Sequence, residues 1–312
     1  MAENPPTPKP INAPLTRRPL DLAATCLVLG LCIVWGFQQV AMKSVSSDIA
    51  PTLQLAIRFA GASVFFALVV LRQEGATLFD DGALRSGALL GLLFSCEFIL
   101  VGQALTLTTA AHTVVFLYSA PIFTALGMQF LPEERLSRAQ WCGVVLAFLG
   151  IAVAFMSYSS RPVIDVLTGD LFALLGGAAW GASNVVLRRG RISHASTAKV
   201  VLYQVLIAAV TLGCFAYATD QVHVTWSTMA ITAVLFQTVV ISIISYLVWF
   251  RLLRHYLTSR LMLLSLLTPL FGVMFGHALL GDTIESRFGT GAILVLIGIL
   301  IVNGRLLFQR GP

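Results

Sequence analysis

Glu97 is the only acidic residue deep inside any apolar stretch of this chain, about ten residues from either end of the run 86–107. A charged side chain in hydrocarbon is costly, and such residues face a cavity or one another. A carboxylate there can contact a substrate, carry a proton, pair with a cation, or stay as a buried neutral acid. Arg58, within the run 52–71, is the cation at comparable depth. At 1.5 Å per helical residue it lies about 10 Å below the membrane surface and Glu97 about 15 Å, so an ion pair between them is sterically feasible.

Gln38 and Gln39, Ser183 and Asn184, and Gln237 fall near the middle of three other apolar runs. Amides donate and accept at once, which suits a zwitterionic or polar solute without demanding one sign of charge. The same groups also act as hydrogen-bonding glue between helices, at roughly 1 kcal/mol each. Both roles stay open. Phe94, Phe98, Phe116, Tyr118 and Tyr246 supply rings that can wall an apolar cavity or simply pack. Trp35 and Trp180 each precede a glycine, Gly36 and Gly181, whose missing side chain lets another helix come close. These pairs read as packing anchors at a moving interface. Trp141, Trp226 and Trp249 fall near the ends of runs and read as interfacial anchors. His112 and His277 are of a type that relays protons, but no second acid stands near either in the sequence. Cys26, Cys32, Cys96, Cys142 and Cys214 show no paired spacing and read as small apolar packing residues.

The elements that position these side chains follow from composition. Hydrophobic residues make up 57% of the chain and charged residues 11%, against roughly 25% charged in soluble domains. A soluble globule could not cover its surface with so few polar side chains. The apolar residues gather in runs of about 20, the length of a helix that crosses a bilayer core. We read ten spans: 22–42, 52–71, 86–107, 111–131, 139–158, 168–188, 198–218, 228–250, 258–280 and 288–308. The period-2 alternation of barrel strands is absent, so the expected class is an all-α integral membrane protein. Residues 1–20 hold six of the twelve prolines and no apolar run, and are expected to form a disordered cytoplasmic tail rather than a cleaved leader.

Placed on alternating sides of ten spans, all of the twenty Lys and Arg except Lys43, Arg58, Arg161 and Arg287 fall on one side, the side of both termini. The positive-inside rule then puts both termini in the cytoplasm. The net charge of +6 reflects loops facing anionic lipid and needs no nucleic-acid partner.

The stretch WGFQQVAMK at 35–43 returns as WGASNVVLR at 180–188. An offset of 148 residues pairs Pro121 with Pro269, Phe123 with Phe271, Glu134 with Asp282, Gly143 with Gly291 and Gly150 with Gly298. The chain is therefore expected to be two five-helix halves, 21–158 and 166–308. Five is odd, so the second half enters the membrane from the opposite side. Inverted repeats supply two conformations of similar energy, the basis of alternating access in transporters. Pro121 and Pro269 sit well inside their runs, where proline removes a backbone hydrogen bond and kinks a helix. Their mirrored placement makes them candidate hinges, with Trp35, Gly36, Trp180 and Gly181 as partners at the moving surface.

W-G-x-x-x-V in the first span, Pro121 in the fourth and E-x-L-x-x-x-Q-x-x-G (Glu134, Leu136, Gln140, Gly143) before the fifth resemble the EamA domain. Two such domains in tandem are similar to the drug/metabolite transporter superfamily, and within it to the bacterial amino-acid and metabolite exporters of the YddG type. The second half departs from the pattern, with Asp282 for the usual Glu and Phe288 for the usual Gln. The resemblance implies a central cavity lined by helices 1–4 and 6–9, with 5 and 10 peripheral. Spans 5 and 10 are independently the plainest in the sequence.

The expected function is secondary transport of small polar metabolites, most of all amino acids, outward across a bacterial inner membrane by alternating access. The expected substrate contacts are Gln38, Gln39, Phe94, Glu97, Phe98, Tyr118, Asn184, Gln237 and Tyr246. No P-loop, no metal-ligand spacing and no G-x-S-x-G occur, so no cofactor or ATP-driven pump is expected, and a membrane-embedded enzyme, which would need clustered catalytic side chains, is the alternative outside transport. A sugar-nucleotide or drug carrier is the alternative within transport, though a diphosphate needs more deep cations than Arg58. The expected partners are a small-molecule substrate and the lipid bilayer, with no nucleic acid, in a monomer or homodimer.

Overall fold

A computed structural model describes residues 19–75, 82–155, 162–281, 284 and 286–307. The tail expected at the N-terminus and Asp282 lie largely or wholly outside them. The described chain is helical, without a strand, and runs α1 (Leu22–Ser44), α2 (Pro51–Glu74), α3 (Leu84–Leu107), α4 (Ala110–Leu117), α5 (Ala120–Met128), α6 (Arg138–Phe155), α7 (Val163–Arg189) and α8 (Thr197–Ala218). It continues with α9 (Thr228–Phe236), a π-helical segment Gln237–Ser245, α10 (Tyr246–His255), α11 (Thr258–Leu264), α12 (Thr268–Leu280) and α13 (Phe288–Leu307). Counting α4–α5, 228–255 and α11–α12 as one passage each gives ten passages. Eight are long and apolar enough to cross a bilayer, and shorter apolar helices cover His112–Met128 and Phe288–Val302. The protein is an all-α membrane protein of about ten helices.

Local chemistry sets the helix starts. The side chains of Asp21, Thr109, Ser196 and Ser227 accept from the backbone N–H of Ala24, His112, Lys199 and Ala230, and Pro51 opens α2, where its missing N–H costs nothing. Large apolar side chains such as Leu68, Leu92, Leu149, Val210 and Leu300 face outward, as a lipid-solvated surface permits, while small residues fill the contacts between helices.

The two prolines do more than kink. The fourth passage breaks at Tyr118–Ser119 and restarts with Pro121 in the first turn of α5. The ninth breaks through a tight turn at Ser265–Leu267 and restarts with Pro269 in the first turn of α12. The freed turns bring Leu117, Tyr118 and Thr268 to the centre of the molecule.

The paired glycines explain the opening repeat. A Cβ on Gly36 would lie 2.8 Å from both the Gly272 nitrogen and the Phe271 Cβ, and one on Gly181 would lie 2.5 Å from the Phe123 Cβ and 3.0 Å from the Thr124 nitrogen. Each Trp-Gly helix thus lies backbone to backbone on the proline-started segment of the other half: α1 on α12, α7 on α5. Gly143 meets Gly298 and Gly150 meets Gly291 in the same way, so the earlier glycine of α6 faces the later one of α13. These repeat-related helices run antiparallel, which is the inversion an odd helix count demands.

The remaining helices form two groups that each draw on both halves. One holds α1, α2, 228–255 and α11–α12; the other holds α3, α4–α5, α7 and α8. They meet along α2 and α8, and α6 with α13 stands as a separate pair.

Candidate functional site

A central cavity of about 160 Å³ lies between the two groups. From the first come Trp35, Gln38 and Gln39 on α1, Arg58 on α2, Tyr246, Trp249 and Phe250 on α10, and Thr268 on α12. From the second come Leu90, Phe94, Glu97 and Phe98 on α3, Leu117 and Tyr118 at the break after α4, Trp180, Ser183, Asn184 and Leu187 on α7, and Gln204 on α8. Neither α6 nor α13 contributes a lining residue.

Rings make most of the wall. Phe94 and Phe98 meet edge-on with centroids 5.0 Å apart, and Phe59 behind them stacks on both at 5.4 and 5.5 Å. Tyr118 meets Trp180 at 5.7 Å, and Trp35 meets Trp249 at 5.3 Å. Such edge-to-face pairs add about 0.5–1.5 kcal/mol each beyond area burial and hold the rings in place. The Trp35 indole N–H donates to the Ser245 hydroxyl at 2.9 Å.

Arg58 is 1% exposed, with its guanidinium carbon 4.6 Å from the Phe59 centroid and 5.9 Å from that of Phe98. It faces the Tyr246 hydroxyl. Its Nε and Nη1 have no hydrogen-bond partner, and neither has Oε2 of Glu97, which is 8% exposed. Among the described residues no ion pair within 4 Å joins the two, so the pairing that depth alone made feasible is not formed.

The structure therefore gathers Gln38, Gln39, Phe94, Glu97, Phe98, Tyr118, Asn184 and Tyr246 around one cavity, with Trp35 and Trp180 in the same wall. Gly36, Gly181, Pro121 and Pro269 stand behind the wall as packing and break points. Gln237 lies outside it. The residue is fully buried, and its amide N–H donates to Oε1 of Gln54 at 2.8 Å, while Gln54 donates to the carbonyls of Ile49 and Met42. This is interhelical glue between α2 and the π segment. Gln237→Leu should cost about 1–3 kcal/mol by leaving Oε1 of Gln54 without its donor, and the double change with Gln54→Leu should cost more, because the carbonyls of Ile49 and Met42 then lose theirs. Thermal unfolding of the single and double variants checks this. Asn184 combines both roles: its Nδ2 donates to the Trp180 carbonyl at 3.1 Å and to the Thr124 hydroxyl at 3.4 Å. Phe116 is not in the wall.

Two expectations are corrected. Trp249 is no interfacial anchor; it is 6% exposed and meets Trp35 edge-to-face in the cavity wall. Residues counted from the end of an apolar run misled here, because α10 continues to His255. His112 does have an acid beside it, since its Nδ1 lies 3.1 Å from Asp170, which also accepts from the Thr108 hydroxyl at 3.0 Å. The acid arrives from α7, 58 positions along the chain.

Gln204 and Thr268 were not singled out from the sequence. A signal for Gln204 existed: it stands seven residues after the first residue of α8, as Arg58 stands after the first of α2. Leu187 and Phe250 also line a second, much smaller pocket with Thr197 and Arg254, toward the end of the bundle that carries most of the cations. They stand between the two pockets.

Polar contacts at this basic end cross between the helix groups. Lys199, fully buried on α8, donates to Glu74 of α2 at 2.9 Å, and Ser196 donates to the same carboxylate at 3.0 Å. Arg254 donates to the Thr197 hydroxyl at 3.3 Å. Glu134, buried after α5, accepts from the backbone N–H of Thr258 at 3.1 Å and of Ser259 at 3.4 Å, with Arg188 Nε 3.5 Å away. At the opposite end the described contacts join helices of one group: Ser227 to Asp48 across an Ile49–Val224 bridge, and His112 to Asp170.

Known proteins agree with this architecture. A solved crystal structure matches with a TM-score of 0.77 at 18% identity, over 93% of this chain and 99% of the other. The chain is 23% identical over 277 residues to the uncharacterized transporter YoaV of Bacillus subtilis, covering 88% of this chain and 94% of the relative. It is 26% identical over 293 residues to a probable amino-acid metabolite efflux pump of Salmonella typhimurium, covering 88% and 93%. The EamA-like transporter family matches twice, at residues 22–156 and 167–304. With nearly all of its length accounted for by those two matches, this chain belongs to the EamA-like transporter family.

Proposed function

We propose that the protein is a secondary carrier that moves amino acids or closely related small metabolites out of a bacterial cell, across the inner membrane, by alternating access. The observation that carries this reading is a mid-membrane cavity lined by both helix groups, each built from both halves. Helices α1 and α2 of one group correspond to α7 and α8 of the other, so exchanging the shapes of the halves moves the opening from one end to the other. The basic end is the cytoplasmic one by the positive-inside rule, and the contacts of Glu74, Lys199 and Glu134 join the two helix groups there.

The size of the cavity supports a small solute. About 160 Å³ is well below the roughly 300–1,000 Å³ of drug-sized sites. Ring walls with Gln38, Ser183 and Asn184 among them suit a molecule with a polar head and an apolar side chain.

Counterflow in proteoliposomes tests the reading. Vesicles loaded with one unlabelled amino acid receive the same amino acid radiolabelled outside, with no pH or ion gradient, and each of the twenty is tried in turn. Uptake above protein-free vesicles is the expected result for at least one. No counterflow with any of them, from folded protein, would remove amino acids as the cargo. Counterflow is expected to need no proton gradient; a wild-type pH dependence of transport that Glu97→Gln abolishes would instead make Glu97 a proton carrier.

A further inference from the structure

We infer that Arg58 and Glu97 are the two charged poles of the substrate site, Arg58 taking the carboxylate of a zwitterionic α-amino acid and Glu97 its ammonium group. The inference rests on the transport reading above and names the chemistry that reading leaves open.

Four observations converge on it. Both side chains line the same cavity and are more than nine-tenths buried. Each keeps polar atoms without a partner there, Nε and Nη1 of Arg58 and Oε2 of Glu97. They are not within 4 Å of each other, so they do not neutralise one another directly. An unpaired buried charge is costly unless something completes it, and a guanidinium offers parallel donors in the geometry a carboxylate accepts. A zwitterion carries the complement of both poles in one molecule.

The repeat supplies the fourth observation. Arg58 and Gln204 stand at equal distances from the starts of α2 and α8, and the partner of Glu97 under the 148-residue offset is Ser245. The fold is content with an amide and a hydroxyl at these positions, so the charges in the first half answer to something other than packing. Their placement also has a mechanical consequence. Arg58 belongs to one helix group and Glu97 to the other, so a bound zwitterion ties the groups together across the cavity. A solute lacking either charge leaves one pole unanswered and does not make that tie.

The test follows the counterflow screen on wild-type protein. The best-carried amino acid, its amide and its desamino acid (for leucine: leucinamide and 4-methylpentanoate) then compete against labelled uptake. Wild type should prefer the parent over both analogues by at least about tenfold, since truncating one side of a buried charged pair costs at least that much. Arg58→Gln should abolish the preference over the amide while keeping that over the desamino acid; Glu97→Gln should do the reverse. Arg58→Lys and Glu97→Asp, which keep the charge, should preserve the order of preference at weaker affinity.

A wild type that takes the desamino acid or the amide as well as the parent overturns the assignment and leaves the transport reading standing. So does a variant whose binding of parent and amide falls in proportion, which is the mark of a structural role. If Arg58→Gln and Glu97→Gln do not fold, the ranking in wild type and the charge-conserving variants decides. A screen with no carried amino acid defeats the transport reading itself and this inference with it.

Discussion

Glu134→Ala is expected to destabilise the folded protein by about 3–5 kcal/mol, the range for removing one partner of a buried charged contact. The carboxylate has no solvent exposure, accepts two backbone N–H groups at the start of α11 and lies beside Arg188. Nothing else in the first turn of α11 replaces it as an acceptor, because the residue before that helix, Leu257, makes no side-chain cap. Glu134→Gln should lose less, since an amide oxygen still accepts one N–H but without charge assistance. Unfolding in detergent measures the loss. The same contact joins the end of the fourth passage to the start of the ninth, which lie in different helix groups. A cysteine placed at Leu187 in a cysteine-free background should therefore react with an impermeant maleimide faster from the basic side in the Glu134→Ala protein. Equal stability and equal labelling in variant and parent would show that the carboxylate does not hold that end closed.

Gly36→Ala and Gly272→Ala should behave oppositely although the two glycines are neighbours. A methyl on Gly36 would meet the Gly272 backbone nitrogen at 2.8 Å, whereas one on Gly272 would meet nothing closer than the Gly36 oxygen at 3.8 Å. The first must push α1 away from α12, an overpacking cost of about 1–3 kcal/mol; the second fits and should change stability little. Gly181→Ala, its methyl 2.5 Å from the Phe123 Cβ, should match Gly36→Ala. Because α1 and α7 carry Trp35, Gln38, Trp180 and Asn184 into the cavity, both harmful variants should also slow counterflow of any carried amino acid. Gly272→Ala as damaging as Gly36→Ala would mean that the tight approach of α1 to α12 is not what the glycine serves.

The sequence by itself determined the class of protein, its ten passages and the inverted duplication. Apolar runs of membrane length, one-sided cations and a shared order of Trp-Gly, Pro and paired glycines are all local or periodic signals, and they survive folding because each helix is laid down from its own residues. It also marked most of the cavity wall, since a polar or charged residue at mid-depth has few places to go besides an interior. Tertiary structure alone decided which of these residues share a space. Gln237 and Gln38 look alike along the chain, yet one bonds Gln54 behind the wall and the other lines the cavity, a difference set by helix rotation that spacing does not encode. Trp249 and the acid beside His112 were hidden for the same reason, as their partners come from helices far along the chain. So too for Arg58 and Glu97: depth permitted an ion pair, and only the packing of α2 and α3 into different helix groups kept both charges facing the cavity without meeting.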